Sequence, residues 1–119
     1  MENTLTNDEF EENDMSKFCL FNKFSVQEGK TEEMVEILLE AARSMGDIDE
    51  CEIYLVNLAE NEPNAVYVYE MWTDESAHQA SLGLEATQTL IGRAKPIITG
   101  MERVSTLQTK GGKGVSSTK

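Results

Sequence analysis

The sequence predicts an α+β fold, a four-stranded antiparallel sheet backed by helices in the order βαββαβ. Three observations carry this. Four segments alternate side chains at the two-residue period of a strand. Two regions repeat apolar residues at helical spacing, one between the first and second strands and one between the third and fourth. Only a short turn, AENEPN, joins the second strand to the third, which makes those two a hairpin.

The first strand is 17–26, KFCLFNKFSV. Phe18, Leu20, Asn22, Phe24 and Val26 share a face that is apolar except for Asn22. Lys17, Cys19, Phe21, Lys23 and Ser25 take the other. Gly29 ends the strand. A helix follows from Thr31 to Met45, with Thr31 as its expected cap and Glu32 and Glu33 at the positive end of its dipole. Met34, Ile37, Leu38, Ala41 and Met45 form its apolar stripe, and Gly46 is the expected C-terminal stop. The second strand is 51–58, CEIYLVNL, and the third is 65–72, AVYVYEMW, rich in β-branched and aromatic residues.

Asp74 is placed to cap the next helix, with Glu75 in its first turn. Gly83 breaks that helix. A second piece, 84–94, gathers Ala86, Leu90, Ile91 and Ala94 on one side, and Pro96 stops it. The last strand is 99–108, TGMERVSTLQ. Plain alternation puts Met101, Arg103, Ser105 and Leu107 on one face, with Glu102, Val104, Thr106 and Gln108 on the other. This order is the ferredoxin-like, split βαβ arrangement. Both helical regions then cover one sheet face. The opposite face is also largely apolar or aromatic, and a second copy of the chain would cover it, so a homodimer is expected.

A chain of 119 residues suits one domain. Its net charge is −12, unevenly spread. Residues 1–14 hold six acids and no base, and read as a mobile acidic arm; Met15 is a candidate alternative start. Residues 110–119, KGGKGVSSTK, read as a flexible tail, leaving 15–109 as the folded domain at −9. GGKG lacks the spacing and following helix of a phosphate loop. Such an acidic surface repels phosphate backbones and anionic lipids, so neither nucleic acid nor membrane is an expected partner. The N-terminal stretch has neither the basic nor the apolar region of a signal peptide. Cys19 and Cys51 fall in separate strands, which fits reduced thiols and a cytoplasmic location, and no Cys/His spacing suggests a metal site.

Residues 67–82, YVYEMWTDESAHQASL, concentrate the chemistry. Glu70 and Trp72 share a strand face, and His78, the only histidine, follows within two helical turns. A carboxylate, an indole and an imidazole therefore surround one strand-to-helix junction.

The motifs also resemble a family. Val26, Gly29 and Lys30 form V-x-x-G-K; Cys51 and Tyr54 form C-x-x-Y; Glu70, Trp72, Asp74, Ala77 and His78 form E-x-W-x-D-x-x-A-H. In order and spacing across 17–108, these resemble the antibiotic biosynthesis monooxygenase domain. The resemblance implies a dimeric α+β barrel with a pocket between sheet and helices. It implies oxidation of electron-rich aromatics, such as quinols, by O₂ without flavin or metal. Haem-degrading relatives match at Asn22, but Ser81 and Ile91 stand where they carry tryptophan and histidine. Many quinol-oxidising relatives read Ala-His where this chain has Ala80-Ser81, and some polyketide-oxidising ones carry asparagine at the position of Val68.

Cofactor-free oxygenation needs a bound aromatic ring, removal of a proton and exclusion of water. His78 is the candidate proton acceptor, or else a hydrogen-bonded helix residue. Asn22 is a candidate ligand for a substrate oxygen, or a satisfied buried amide. Trp72 either stacks on the substrate or packs in the core. Tyr54, Tyr69 and Arg93 are candidate substrate contacts, and Glu70 is expected to pair with a cross-strand cation such as Arg103. The leading expectation is a cofactor-independent monooxygenase acting on a small aromatic or quinol-like substrate. The alternatives are a non-catalytic dimer that binds a small ligand, in stress or redox physiology, and an interaction module acting through its terminal arms.

Overall fold

The structure, a computed structural model, describes residues 16–114. The expected 1–14 arm and the end of the expected tail lie outside the described residues. Four strands form one sheet in the order β2-β3-β1-β4, all antiparallel: β1 Lys17–Val26, β2 Cys51–Leu58, β3 Ala65–Trp72 and β4 Ile98–Thr109. The helices are α1 Thr31–Ser44, α2 Glu75–Ser81 and α3 Glu85–Ala94, with a single 3₁₀ turn, Met45–Asp47, after α1. This is the predicted α+β, ferredoxin-like arrangement.

The core lies between the sheet and helices α1 and α3. Met34, Ile37, Leu38 and Ala41 of α1 pack on Val66 and Val68 of β3 and Val26 of β1, joined by Leu90 and Ala94 of α3. Fully burying a side chain of the size of Ile37 or Met34 contributes roughly 1.5–3 kcal/mol. Val66 and Val68 share their face with Glu70 and Trp72, so β3 carries the core straight into the polar junction.

Details at the helix ends differ from expectation. Thr31 does not cap α1; its hydroxyl donates to the Pro63 carbonyl at 2.7 Å, tying the helix start to the β2–β3 turn. Lys30 holds the cap position without a side-chain bond. Nor does Gly46 supply a left-handed stop, because the chain tightens into the 3₁₀ turn instead. Gly29 is the glycine whose conformation matters: at φ 85° it makes the turn between β1 and α1. Asp74 caps α2 as expected, its carboxylate accepting from the Ala77 N–H at 2.8 Å.

The largest departure is in β4. Asn22 pairs with Arg103 while Phe21 pairs with Ser105, so Val104 is an extra residue in a β-bulge. Plain alternation fails there. Met101 and Arg103 turn toward the helices, whereas Ser105, Leu107 and Thr109 line the opposite, open face. A second register shift separates Ser25 from Val26.

On the open face Phe21 stacks on Tyr67 at 5.5 Å, and Tyr69 meets Thr109. Leu55 and Leu107 are exposed there. Two ion pairs, Lys17–Glu52 and Lys23–Glu62, each 2.7 Å, bracket the patch. No helix among the described residues is long and apolar enough to cross a membrane.

Candidate active site

Alternation along β3 turns Glu70 and Trp72 under the helices. The register sets Tyr54 of β2 and Leu20 of β1 directly beside Glu70. The Asp74 cap starts α2 two residues after β3 ends, and this short helix folds His78 back over both groups. His78 Nε2 lies 3.9 Å from Glu70 Oε1. Its ring meets the Trp72 indole edge-on at 5.4 Å, with Phe18 at 5.9 Å. The indole Nε1–H donates to Glu70 Oε1 at 2.8 Å. Asn22 sits further along the sheet, and the β4 bulge brings Arg103 to it: Nε donates to Asn22 Oδ1 at 2.9 Å, and Nη1 to Thr106 Oγ1 at 3.3 Å.

Asn22, Glu70 and His78 close one end of a cavity of about 400 Å³ between sheet and helices. That volume is in the roughly 300–1,000 Å³ range of small-molecule sites. Phe24, Met34, Ile37, Leu38, Leu90 and Ala94 supply apolar wall. Asn22, Tyr54, Glu70 and His78 supply the polar end. Arg103, Lys95, Met101 and Ile91 line it and are exposed, which marks the mouth. Among the lining residues Glu70 is the single acid, against Lys95 and Arg103, in a chain of net charge −12.

Burial sets the ionisation of the polar end. It raises the Glu70 pKa above the ordinary carboxylate value, opposed by the Trp72 hydrogen bond and the positive charge of Arg103. Burial, and secondarily the Arg103 charge, lowers the His78 pKa, with Glu75 acting weakly the other way. His78 is therefore a neutral imidazole at pH 7. Its Nδ1 is sealed from solvent and has no hydrogen-bond partner among the described residues. Burial, reinforced by the Glu70 charge, also raises Tyr54 and pushes the Cys51 thiol up to about 11, so both stay protonated.

The structure thus gathers Asn22, Tyr54 and His78 around one cavity, and adds Glu70 and Arg103. Trp72 is wholly buried and does not line the cavity; it touches the site through Glu70 and His78. Tyr69 lies on the open face, one residue out of phase with Glu70. Arg93 lies outside the cavity, where it forms an exposed ion pair with Glu40 on α1 at 2.7 Å. The expected Glu70–Arg103 pairing is replaced by Arg103 binding Asn22, its charge still acting on Glu70. Among the described residues, no cluster of three or more His, Cys, Asp or Glu is arranged to hold a metal ion.

The family model described as antibiotic biosynthesis monooxygenase matches residues 17–92, from β1 into α3. The chain belongs to that family. Two solved structures carrying the same family name are similar to it. One, from Chloroflexus aurantiacus, is 27% identical, with a TM-score of 0.72, covering 84% of this chain and 99% of that one. The other, from Deinococcus radiodurans, is 18% identical with a TM-score of 0.67, covering 84% and 97%, and shares the fold. A Nitrosomonas europaea protein of unknown function has the fold too, at 17% identity and a TM-score of 0.68, covering 87% and 98%. Comparison with curated proteins gave no match. At the level of the antibiotic biosynthesis monooxygenase family, then, the reading is a monooxygenase.

Proposed function

We propose that this chain is a cofactor-independent monooxygenase that oxidises a small aromatic or quinol-like compound with O₂. One juxtaposition supports this reading: a mostly apolar cavity of ring-binding size ends on a carboxylate, an amide and a neutral imidazole. Deprotonation makes a quinol electron-rich enough to pass an electron to O₂, and recombination of the two radicals forms the C–O bond. One oxygen atom enters the ring and the other leaves as water. The substrate itself supplies every electron.

In this reading the apolar wall binds the ring and keeps water out. With Asn22 Oδ1 occupied by Arg103, its amide NH₂ is what Asn22 has left to offer a substrate oxygen. Tyr54 contacts the ring from β2. His78 assists the proton transfer, and Trp72 acts from behind by fixing Glu70 and His78. The working unit is a homodimer joined through the open sheet faces. Both cysteines are free, which suits the cytoplasm.

Oxygen uptake with 1,4-naphthoquinol, in buffer stripped of metal and flavin, tests the reading. The protein should raise uptake above autoxidation and yield an oxygenated quinone. His78→Ala should slow the reaction at least ~10-fold, because the imidazole packs against Trp72 and Glu70, and misplacing a reacting group costs up to about 10². Ligand-dependent Trp72 fluorescence with no excess uptake would instead establish a non-catalytic binder. Ala80-Ser81, where many quinol-oxidising relatives read Ala-His, favours that second reading.

A further inference from the structure

We propose that Glu70 is the proton acceptor of this site, its carboxylate taking the hydroxyl proton of a phenolic or quinol ring while Arg103, held by Asn22, faces the oxyanion that forms. This deepens the proposed function and rests on it.

Two carriers could take the proton, and geometry separates them. His78 presents Nε2 to Glu70 Oε1 at 3.9 Å. While Glu70 is ionised, a neutral imidazole keeps its proton on Nε2, because the alternative sets a lone pair against a carboxylate. The remaining lone pair then lies on Nδ1, which is sealed and has no partner among the described residues. His78 consequently has no basic lone pair to show a ligand. Glu70 lines the cavity itself, with one oxygen fixed by the Trp72 indole. A carboxylate has lone pairs to spare beyond that bond.

Charge conservation points the same way. Proton transfer from a neutral phenol to Glu70 breaks one O–H bond and forms another, and the electron pair stays on the substrate oxygen. One negative charge leaves Glu70 and one appears on the substrate, nearer Arg103. Transfer to His78 would create a cation and an anion together in a water-poor cavity, with the imidazolium opposed by the Arg103 charge. The other groups facing Glu70 do not compete: Tyr54 and Cys51 on β2 are held protonated by burial and by Glu70's own charge. Burial also raises the Glu70 pKa, which makes it a stronger base than an exposed carboxylate. Trp72 and His78 are positioning residues in this scheme, and Asn22 positions Arg103.

4-Nitrophenol tests the step without turnover, because its phenolate absorbs in the visible and its phenol does not. It is added to the whole protein slightly below the pH at which the free probe ionises. Wild type should bind it with a gain of phenolate absorbance. Glu70→Gln, which keeps the Trp72 bond, should bind it within about threefold of wild type yet as the phenol. His78→Gln should retain most of the phenolate signal, and Arg103→Met should weaken both binding and signal. A Glu70→Gln variant that still generates phenolate, or a His78→Gln variant that abolishes it, overturns the assignment to Glu70 alone. Failure of folded wild type to bind any phenol removes the underlying aromatic-substrate reading, and this step with it.

Discussion

At the scale of residues, the site is a balance between burial and compensation. Burial of Glu70 outweighs its indole hydrogen bond and the charge of Arg103, so its folded pKa lies above its ordinary value. The folded protein therefore keeps a proton that the unfolded chain would release. Stability from this group is fully present below about 4.5, the ordinary pKa, and is lost as pH rises through the folded value. Glu70→Gln should abolish that loss. Its melting temperature near pH 7 should equal or exceed that of wild type, while O₂ uptake with the quinol collapses. His78 works with the opposite sign. Its folded pKa lies below 6.5, so stability falls as pH drops from 6.5 through the folded value. His78→Gln should flatten that acid-side fall. Thermal unfolding followed by circular dichroism across pH 4–8 reads both windows; a Glu70→Gln variant less stable than wild type at neutral pH would refute the burial argument.

At the scale of elements, α2 is a seven-residue helix with little packing of its own, and Asp74 starts it. Asp74→Ala should cost about 0.5–2 kcal/mol, the usual range for losing such a cap. Because α2 carries His78, it should also weaken ligand binding; equal affinity in wild type and variant, read by Trp72 fluorescence, would show that α2 does not hold the site. The β4 bulge is the second device. It lets one strand turn Arg103 into the cavity and Leu107 onto the open face.

These two devices were unequally legible in the sequence. The Asp74 cap was legible, because a cap follows from one side chain three residues before an N–H it can reach. The bounds of β1, β2 and β3 followed from alternation. The bulge at Val104 was not legible, because a β-branched residue in an alternating run carries no sign of being extra. That hid the turn of Ser105 and Leu107 onto the face opposite Arg103. Tyr69 was legible in principle, since a residue between Glu70 and an even-spaced face must point the other way. Arg93 depended on where α1 packs beside α3, which periodicity alone does not give. That Glu70 outranks His78 as a base depended on a sealed nitrogen and a distance, and so belonged to three dimensions only.

At the scale of the whole molecule, the open sheet face is the surface proposed to join two copies of the chain. Leu55 is 52% exposed and Leu107 43%, on a face that also carries Phe21, Tyr67 and Tyr69. A standard interface hides roughly 800 Å² on each partner, about what one face of a small four-stranded sheet can offer. Opposing this, two chains of net charge −12 repel. The dimer should therefore tighten as salt rises from low ionic strength, the reverse of an association held by ion pairs. Light scattering at micromolar concentration should give twice the 13.3 kDa chain mass. The double substitution Leu55→Asp, Leu107→Asp should give the single-chain mass, by burying charge against apolar surface. The cavity lies on the helix side of the sheet, opposite the face that carries Leu55 and Leu107, so that monomer should still bind 4-nitrophenol as phenolate. Wild type that scatters as a stable monomer would exclude the open face as an interface. A doubly substituted monomer that binds nothing would show instead that the partner subunit completes the cavity wall.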